Sequence, residues 1–153
     1  MTVIGLDQST TKTGWSLFED GEYMDSGVID LSAMKKDSAN RALVMAEQIC
    51  NLIDDKQPDK VAIEDIFDNN NVATLVLLGR LQGMLMLHCY EKGIPCEVLA
   101  PASWRSVVGI KEKKRDECKT AAVQFIKNRF YVYPVSTDEA EAVCIGYVGY
   151  MKK

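Results

Sequence analysis

Apolar positions along this chain change their period several times, and each change marks an element. Residues 2–8 form a nearly unbroken apolar run that reaches a carboxylate, Asp7, as a buried strand does at its end. Residues 15–19 and 23–31 read as two further strands, and Asp20-Gly21 between them is a hairpin signal, so the three predict an antiparallel meander. From residue 38 to about 55 the period becomes helical: Ala42, Leu43, Ala46, Ile49, Cys50 and Ile53 fall on one face, and Pro58 follows the end. Residues 61–64 are a short apolar strand that again finishes on a carboxylate, Glu64. The polar run Asp68-Asn69-Asn70-Asn71 supplies capping side chains for a long helix over 72–92, which Gly93 ends.

That long helix is apolar almost all round, which predicts burial on two sides, with Met84 and Met86 as core filler. Gly79 and Gly83, four apart, leave room for a second helix, either within the core or across a dimer interface. Residues 96–99 are a fifth strand ended by Pro101, and a short helix spans 103–108 before Gly109. An amphipathic helix then turns Cys118, Ala122, Phe125 and Ile126 inward, and Pro134 closes it. Ser136 and Glu139 have capping-box spacing for a last helix carrying Ala140, Val143, Cys144 and Tyr147. This order predicts an α/β chain with a mixed five-stranded sheet flanked by helices. With no repeat or linker, residues 1–153 read as one domain.

Composition narrows the function classes. A net charge of -4 means that any surface for nucleic acid must be local rather than global. The five cysteines are scattered, without a CxxC pair or a histidine at zinc spacing, so they predict reduced thiols in an intracellular protein. Asp7 interrupts the N-terminus before any secretory signal forms, and Arg80, Gln82 and His88 break the longest apolar segment, which argues against a membrane span. His88 has no acid or cysteine at ligand spacing and reads as a core or interface residue.

The chemistry lies in the carboxylates. Asp7 alone is ambiguous between a turn cap and a cation ligand. The helix between the first and fourth strands allows them to pair in parallel, which would deliver Asp7 and Glu64 to one crevice. Asp138 and Glu141, three apart, share a face in the first turn of the last helix, where the dipole alone would favour acids. Four gathered acids repel unless a cation intervenes. Oxygen donors without histidine or thiolate point to Mg²⁺ or Mn²⁺, and two such ions roughly 3.5–4 Å apart clamp an in-line phosphoryl displacement.

At these residues the chain resembles the RuvC-type Holliday junction resolvases of the RNase H-like nuclease superfamily, over nearly its whole length. Gly5-Leu6-Asp7 with Thr13-Gly14-Trp15 is similar to the first motif, and Ala62-Ile63-Glu64-Asp65-Ile66-Phe67 to the second. Leu78-Gly79 with Gly83 resembles the central dimer helix, and Asp138-Glu139-Ala140-Glu141-Ala142 the final acidic one. Pro101, Val107-Val108-Gly109 and a basic segment fall in the expected order. Glu141 departs from the usual aspartate, reaching about 1.5 Å further, and Glu139 is the alternative ligand.

The resemblance implies a cytoplasmic homodimer that nicks four-way and other branched DNA symmetrically and leaves 5′-phosphates. In that reading Asp7, Glu64, Asp138 and Glu141 hold two Mg²⁺, and Lys114 or Arg115 neutralises the pentacovalent phosphate. Phe67, Arg105, Lys111, Lys113, Lys114 and Arg115 would contact DNA, Phe67 as a wedge or stacking platform. Trp104 either stacks on DNA or anchors its short helix. The compact length, Trp104-Arg105 and Glu141 look more like bacteriophage relatives. Rival readings are a non-catalytic junction-binding protein, an RNA-processing nuclease, and a fragment of an actin-like phosphotransferase. The last rests on Asp7-Gln8-Ser9-Thr10-Thr11, which also looks like a phosphate-binding turn, although no nucleotide-binding partner domain accompanies it.

Overall fold

The computed structural model describes residues 1–34, 37–67 and 70–152, so Asp68 and Asn69 of the polar capping run lie outside the described residues. Among these residues there are five strands: β1 (Thr2–Asp7), β2 (Lys12–Glu19), β3 (Glu22–Asp30), β4 (Lys60–Glu64) and β5 (Cys96–Leu99). Five helices accompany them: α1 (Ser38–Lys56), α2 (Val72–Lys92), α3 (Pro101–Val107), α4 (Arg115–Phe130) and α5 (Thr137–Met151). The sheet order is β3-β2-β1-β4-β5. β1, β2 and β3 pair antiparallel, while β1, β4 and β5 run parallel, so the sheet is mixed as expected.

Local chemistry explains the element ends. Asp20 and Gly21 both take positive φ, 50° and 86°, as a two-residue hairpin of right-handed strands requires. Asn71 caps α2 by accepting from Thr74 N at 3.1 Å, and Gly93 closes it in the left-handed region. β2 begins at Lys12 rather than residue 15, because pairing with β3 extends through the polar Lys12 and Thr13. α3 begins at Pro101, two residues earlier than expected, since proline is well placed in a first helical turn where its missing N–H costs nothing.

Strand alternation divides the core in two. Ile4, Leu6, Val61 and Ile63 face α1 and α2, packing with Met45, Ile49, Ile53, Leu81 and Leu85. Val3, Phe18, Ala62 and Leu99 face the other layer, with Trp104, Ile126, Val143 and Val148. α5 lies on the sheet at backbone contact. A Cβ on Gly5 would stand 2.3 Å from Gly146 N, and one on Gly14 would stand 2.0 Å from Asp138 O. Ser16 Oγ donates to Ala142 O at 2.7 Å beside this seam.

α2 corrects its sequence expectation. Only Leu81, Gln82, Leu85 and Cys89 are buried, so one face of the helix packs on the core. Val72, Val76, Met86, Leu87 and Tyr90 are exposed, and Met86, at 43%, is not core filler. The all-round apolar character reflects a second face with no partner in a single copy. α2 also has the length and hydropathy of a membrane span. A packed face is something that a helix surrounded by lipid would lack. His88 gains a partner that its sequence spacing does not show: its Nε2 lies 2.8 Å from Asp54 Oδ1 of α1.

Candidate active site

Register brings Asp7 and Glu64 together. Leu6 stands opposite Ile63 in the parallel β1–β4 pair, so the next residues end side by side at the C-terminal edge of the sheet. Alternation turns both toward the α5 layer, because Val3 and Ala62 of the same parity pack there. α5 starts beneath them. Ser136 caps it by accepting from Glu139 N at 3.2 Å, which places Asp138 and Glu141 on the turn that meets the strand ends.

One carboxylate oxygen each from Asp7, Glu64 and Glu141 lies within 4.8 Å of the others. Asp138 lines the same crevice but stands outside that trio. Glu139 is committed elsewhere, accepting from Ser26 Oγ at 2.6 Å and from Val135 N at 2.7 Å. The capping box is therefore only half formed: Ser136 accepts as expected, but the Glu139 side chain reaches Val135 rather than Ser136.

Burial and mutual repulsion govern the ionisation of this cluster. Asp7 is pushed well above the usual carboxylate range by burial, then by Glu141, Glu64 and Asp138, with Lys119 opposing. Glu141, only 6% exposed, is raised to about 7 by burial and then by Glu64. Burial raises Glu64 too, against the hydrogen bond from Trp104 and the charges of Arg105 and Arg115. Such a cluster must take up protons or a cation. Oxygen donors alone, with no imidazole or thiolate lining the crevice among the described residues, suit a hard divalent ion.

The crevice has a volume of about 550 Å³, and its basic wall comes from Arg41, Arg105, Lys113, Arg115 and Lys119. Helix α4 begins at Arg115, so Lys119 sits one turn further along the same side, facing the acids. Lys113 and Arg115 thus reach the crevice, whereas Lys111 lines the adjoining groove with Phe67 and Arg105. Lys114, a sequence candidate for the catalytic cation, is the exposed N-cap of α4 and is not in the crevice wall. Phe67 is 48% exposed and borders both cavities, so it is not a core residue.

Arg41 was not a sequence candidate, Lys119 was legible only as the end of the basic run that starts at Lys111, and the contact of the Trp104 indole with Glu64 was not foreseen. The i, i+4 spacing of Arg115 and Lys119 is a usable signal once the helix start is known. Arg41 has none: it arrives from α1, its Nε donating to Thr10 O at 3.1 Å. The Ser9–Thr13 turn is closed on itself, with Ser9 N bonded to Thr13 Oγ1 and Thr11 N to Ser9 Oγ. Those N–H groups are not offered to a phosphate.

A mixed sheet whose adjacent parallel strands end in acids, with a further acid on the helix crossing them, is an RNase H-like architecture carrying a carboxylate cluster that could hold a cation. More particularly, the chain belongs to the crossover junction endodeoxyribonuclease RuvC family, whose model matches residues 3–147. The RuvC of Dictyoglomus turgidum is 29% identical over 153 residues, covering 97% of this chain and 96% of the relative. That of Legionella pneumophila (strain Lens) is 30% identical over 151 residues, covering 94% and 86%. Among solved structures, T. thermophilus RuvC in complex with a Holliday junction substrate superposes with a TM-score of 0.74 at 17% identity, covering 96% of this chain and 91% of the other. The Fowlpox virus resolvase in complex with Holliday junction DNA gives 0.67 at 12% identity, covering 99% and 97%. At such low identities these two likenesses speak for the fold.

Proposed function

We propose that this protein is a Holliday junction resolvase, a divalent-metal-dependent endodeoxyribonuclease that makes paired nicks in four-way and other branched DNA and leaves 5′-phosphates. The single observation that carries the chemistry is the convergence of Asp7, Glu64 and Glu141 within 4.8 Å at the ends of two parallel strands. Membership of the RuvC family supplies the substrate class.

Asp7, Glu64 and Glu141 hold the cation, and Asp138, on the same crevice wall, completes a set suited to two ions. Bound Mg²⁺, for which Mn²⁺ would substitute, supplies Lewis-acid polarisation of the phosphate and a water of lowered pKa. Lys119 and Arg115 stand where they offset negative charge on a phosphate entering the crevice. Lys113, Arg105 and Arg41 extend that cationic wall, so a chain of net charge -4 still presents a local phosphate-binding surface. Phe67, at the mouth, offers an aromatic face to an unstacked base. Lys111 contacts the strand in the adjoining groove.

A second copy docks on the exposed face of α2, where Gly83 has open space and Val76 and Leu87 are exposed. The two-fold interface gives two centres for the two symmetric nicks. The whole chain acts as one nuclease domain.

Purified protein with Mg²⁺ or Mn²⁺ is mixed with fixed junctions, mobile junctions, forks and linear duplex. Preferential symmetric nicking of the junctions is expected. Asp7→Asn should bind junctions at least as tightly as the parent but leave them intact, because it removes both a ligand and a repulsive charge. Parent protein that binds junctions yet never cuts them with either metal refutes the nuclease reading.

A further inference from the structure

Among the described residues, Glu64 is the one carboxylate of the trio that another side chain holds by a hydrogen bond. Trp104, the bulkiest fully buried side chain, donates its indole N–H to Glu64 Oε1 at 2.9 Å. Arg105 lies over the Trp104 ring, 5.2 Å from its centroid, and brings Nη2 to 3.9 Å from the same oxygen. Behind the carboxylate, Gln8 Nε2 and Gln82 Nε2 both donate to the Glu64 carbonyl, at 3.3 and 3.2 Å. Asp7 and Glu141 accept no comparable hydrogen bond from a side chain among the described residues. Both of these Glu64 side-chain contacts fall on Oε1, which leaves Oε2 without a protein donor among the described residues.

We propose that Trp104 is a positioning residue for the cation: its indole N–H pins Glu64 Oε1, so that Oε2 is presented to the metal in a fixed orientation. The inference rests on the metal-centre reading above and adds to it the origin of the geometry. A glutamate side chain has three rotatable bonds, and a ligand already locked by a donor loses less freedom when a cation binds. The placement is built into the fold. Glu64 pairs with Leu99 across β4 and β5, Asp65 N donates to Leu99 O, and α3 starts two residues after Leu99, so Trp104 returns beneath the strand end. Packing alone would not need the polar edge of the ring at the active carboxylate. A phenyl ring fills most of that volume, and a buried indole N–H requires an acceptor.

The test uses the whole protein with ¹⁵N-labelled tryptophan. Trp15 and Trp104 are the two tryptophans in the sequence, and Trp15→Phe assigns the two indole N–H signals. Titration with Mg²⁺ should move the Trp104 signal and leave that of Trp15 in place, and Glu64→Gln should abolish the movement. Trp104→Phe should weaken Mg²⁺ binding by roughly 10- to 100-fold, read from the backbone amide shifts of Asp7 and Ile63, with the KM for junction DNA unchanged. Backbone shifts that report Mg²⁺ binding while the Trp104 indole stays still overturn the proposal. So does a folded Phe variant with parental Mg²⁺ affinity. The wild-type titration does not depend on any variant folding. No response to Mg²⁺ anywhere, with or without junction DNA, overturns the metal-centre reading itself and the role of Trp104 with it.

Discussion

Glu141→Gln offers the sharpest view of the strain that the acidic cluster places on the metal-free protein. Burial and Glu64 raise Glu141 from 4.5 to about 7. A raised carboxyl pKa means that the folded state holds the proton more tightly than the unfolded chain. The stability contributed is therefore fully present below about pH 4.5 and is lost as pH rises to about 7. The shift is about 2.5 units, and each unit corresponds to about 1.36 kcal/mol, so the loss is about 3 kcal/mol. Glutamine keeps the shape and removes the titration.

In EDTA at pH 8, Glu141→Gln should thus be more stable than the parent by about 3 kcal/mol, or roughly 6–12 °C in melting temperature for a domain of this size. At pH 4.5 the two should melt together. Added Mg²⁺ should stabilise the parent at pH 8 and the variant much less, because the cation relieves the same repulsion and the variant lacks one of its ligands. Melting followed by circular dichroism across pH, with and without Mg²⁺, measures all of this. A variant that tracks the parent from pH 4.5 to 8 refutes the reasoning, as it would place Glu141 in water or beside a compensating charge.

Two further outcomes test the frame around the site. Gly14→Ala should destabilise the fold by at least about 1–3 kcal/mol and weaken Mg²⁺ binding, because its Cβ would meet Asp138 O at 2.0 Å and lift the start of α5 off β2; an unchanged denaturant midpoint counts against that contact. Replacing Lys113, Lys114 and Arg115 together with alanine should reduce the slope of log junction affinity against log salt by about 2, since two of the three line the crevice and Lys114 does not; an unchanged slope would move the DNA face elsewhere.

The exposed face of α2 and the crevice share one helix. The first turns of α2 contribute Thr74, Leu75, Leu77 and Leu78 to the crevice wall, and the same helix presents Val76 and Leu87 outward. A partner copy seated on that face would therefore touch the helix that walls the active site. In that arrangement the distance between the two centres would depend on a single element.

Much of this protein can be read from residue order alone, for a physical reason in each case. Period and punctuation are local properties, so the meander, the long helix over 72–92 and the caps at Asn71 and Ser136 follow from neighbours in the chain. Asp7 and Glu64 were legible because a strand that ends in an acid, repeated across a helical crossover, has few parallel arrangements open to it. What tertiary structure alone decided is which groups converge. Only the docking of α5 at Gly14 and Gly5 separates Glu141, aimed into the trio, from Glu139, turned to Ser26 and Val135. Only the start of α4 at Arg115 selects Lys119 over Lys114 for the crevice wall. The partners of Trp104 and His88 are not legible in the sequence, because Glu64 and Asp54 lie 40 and 34 residues away. A linear sequence records the chemistry that each residue offers; the fold chooses which offers meet, because contact between distant residues depends on how whole elements pack.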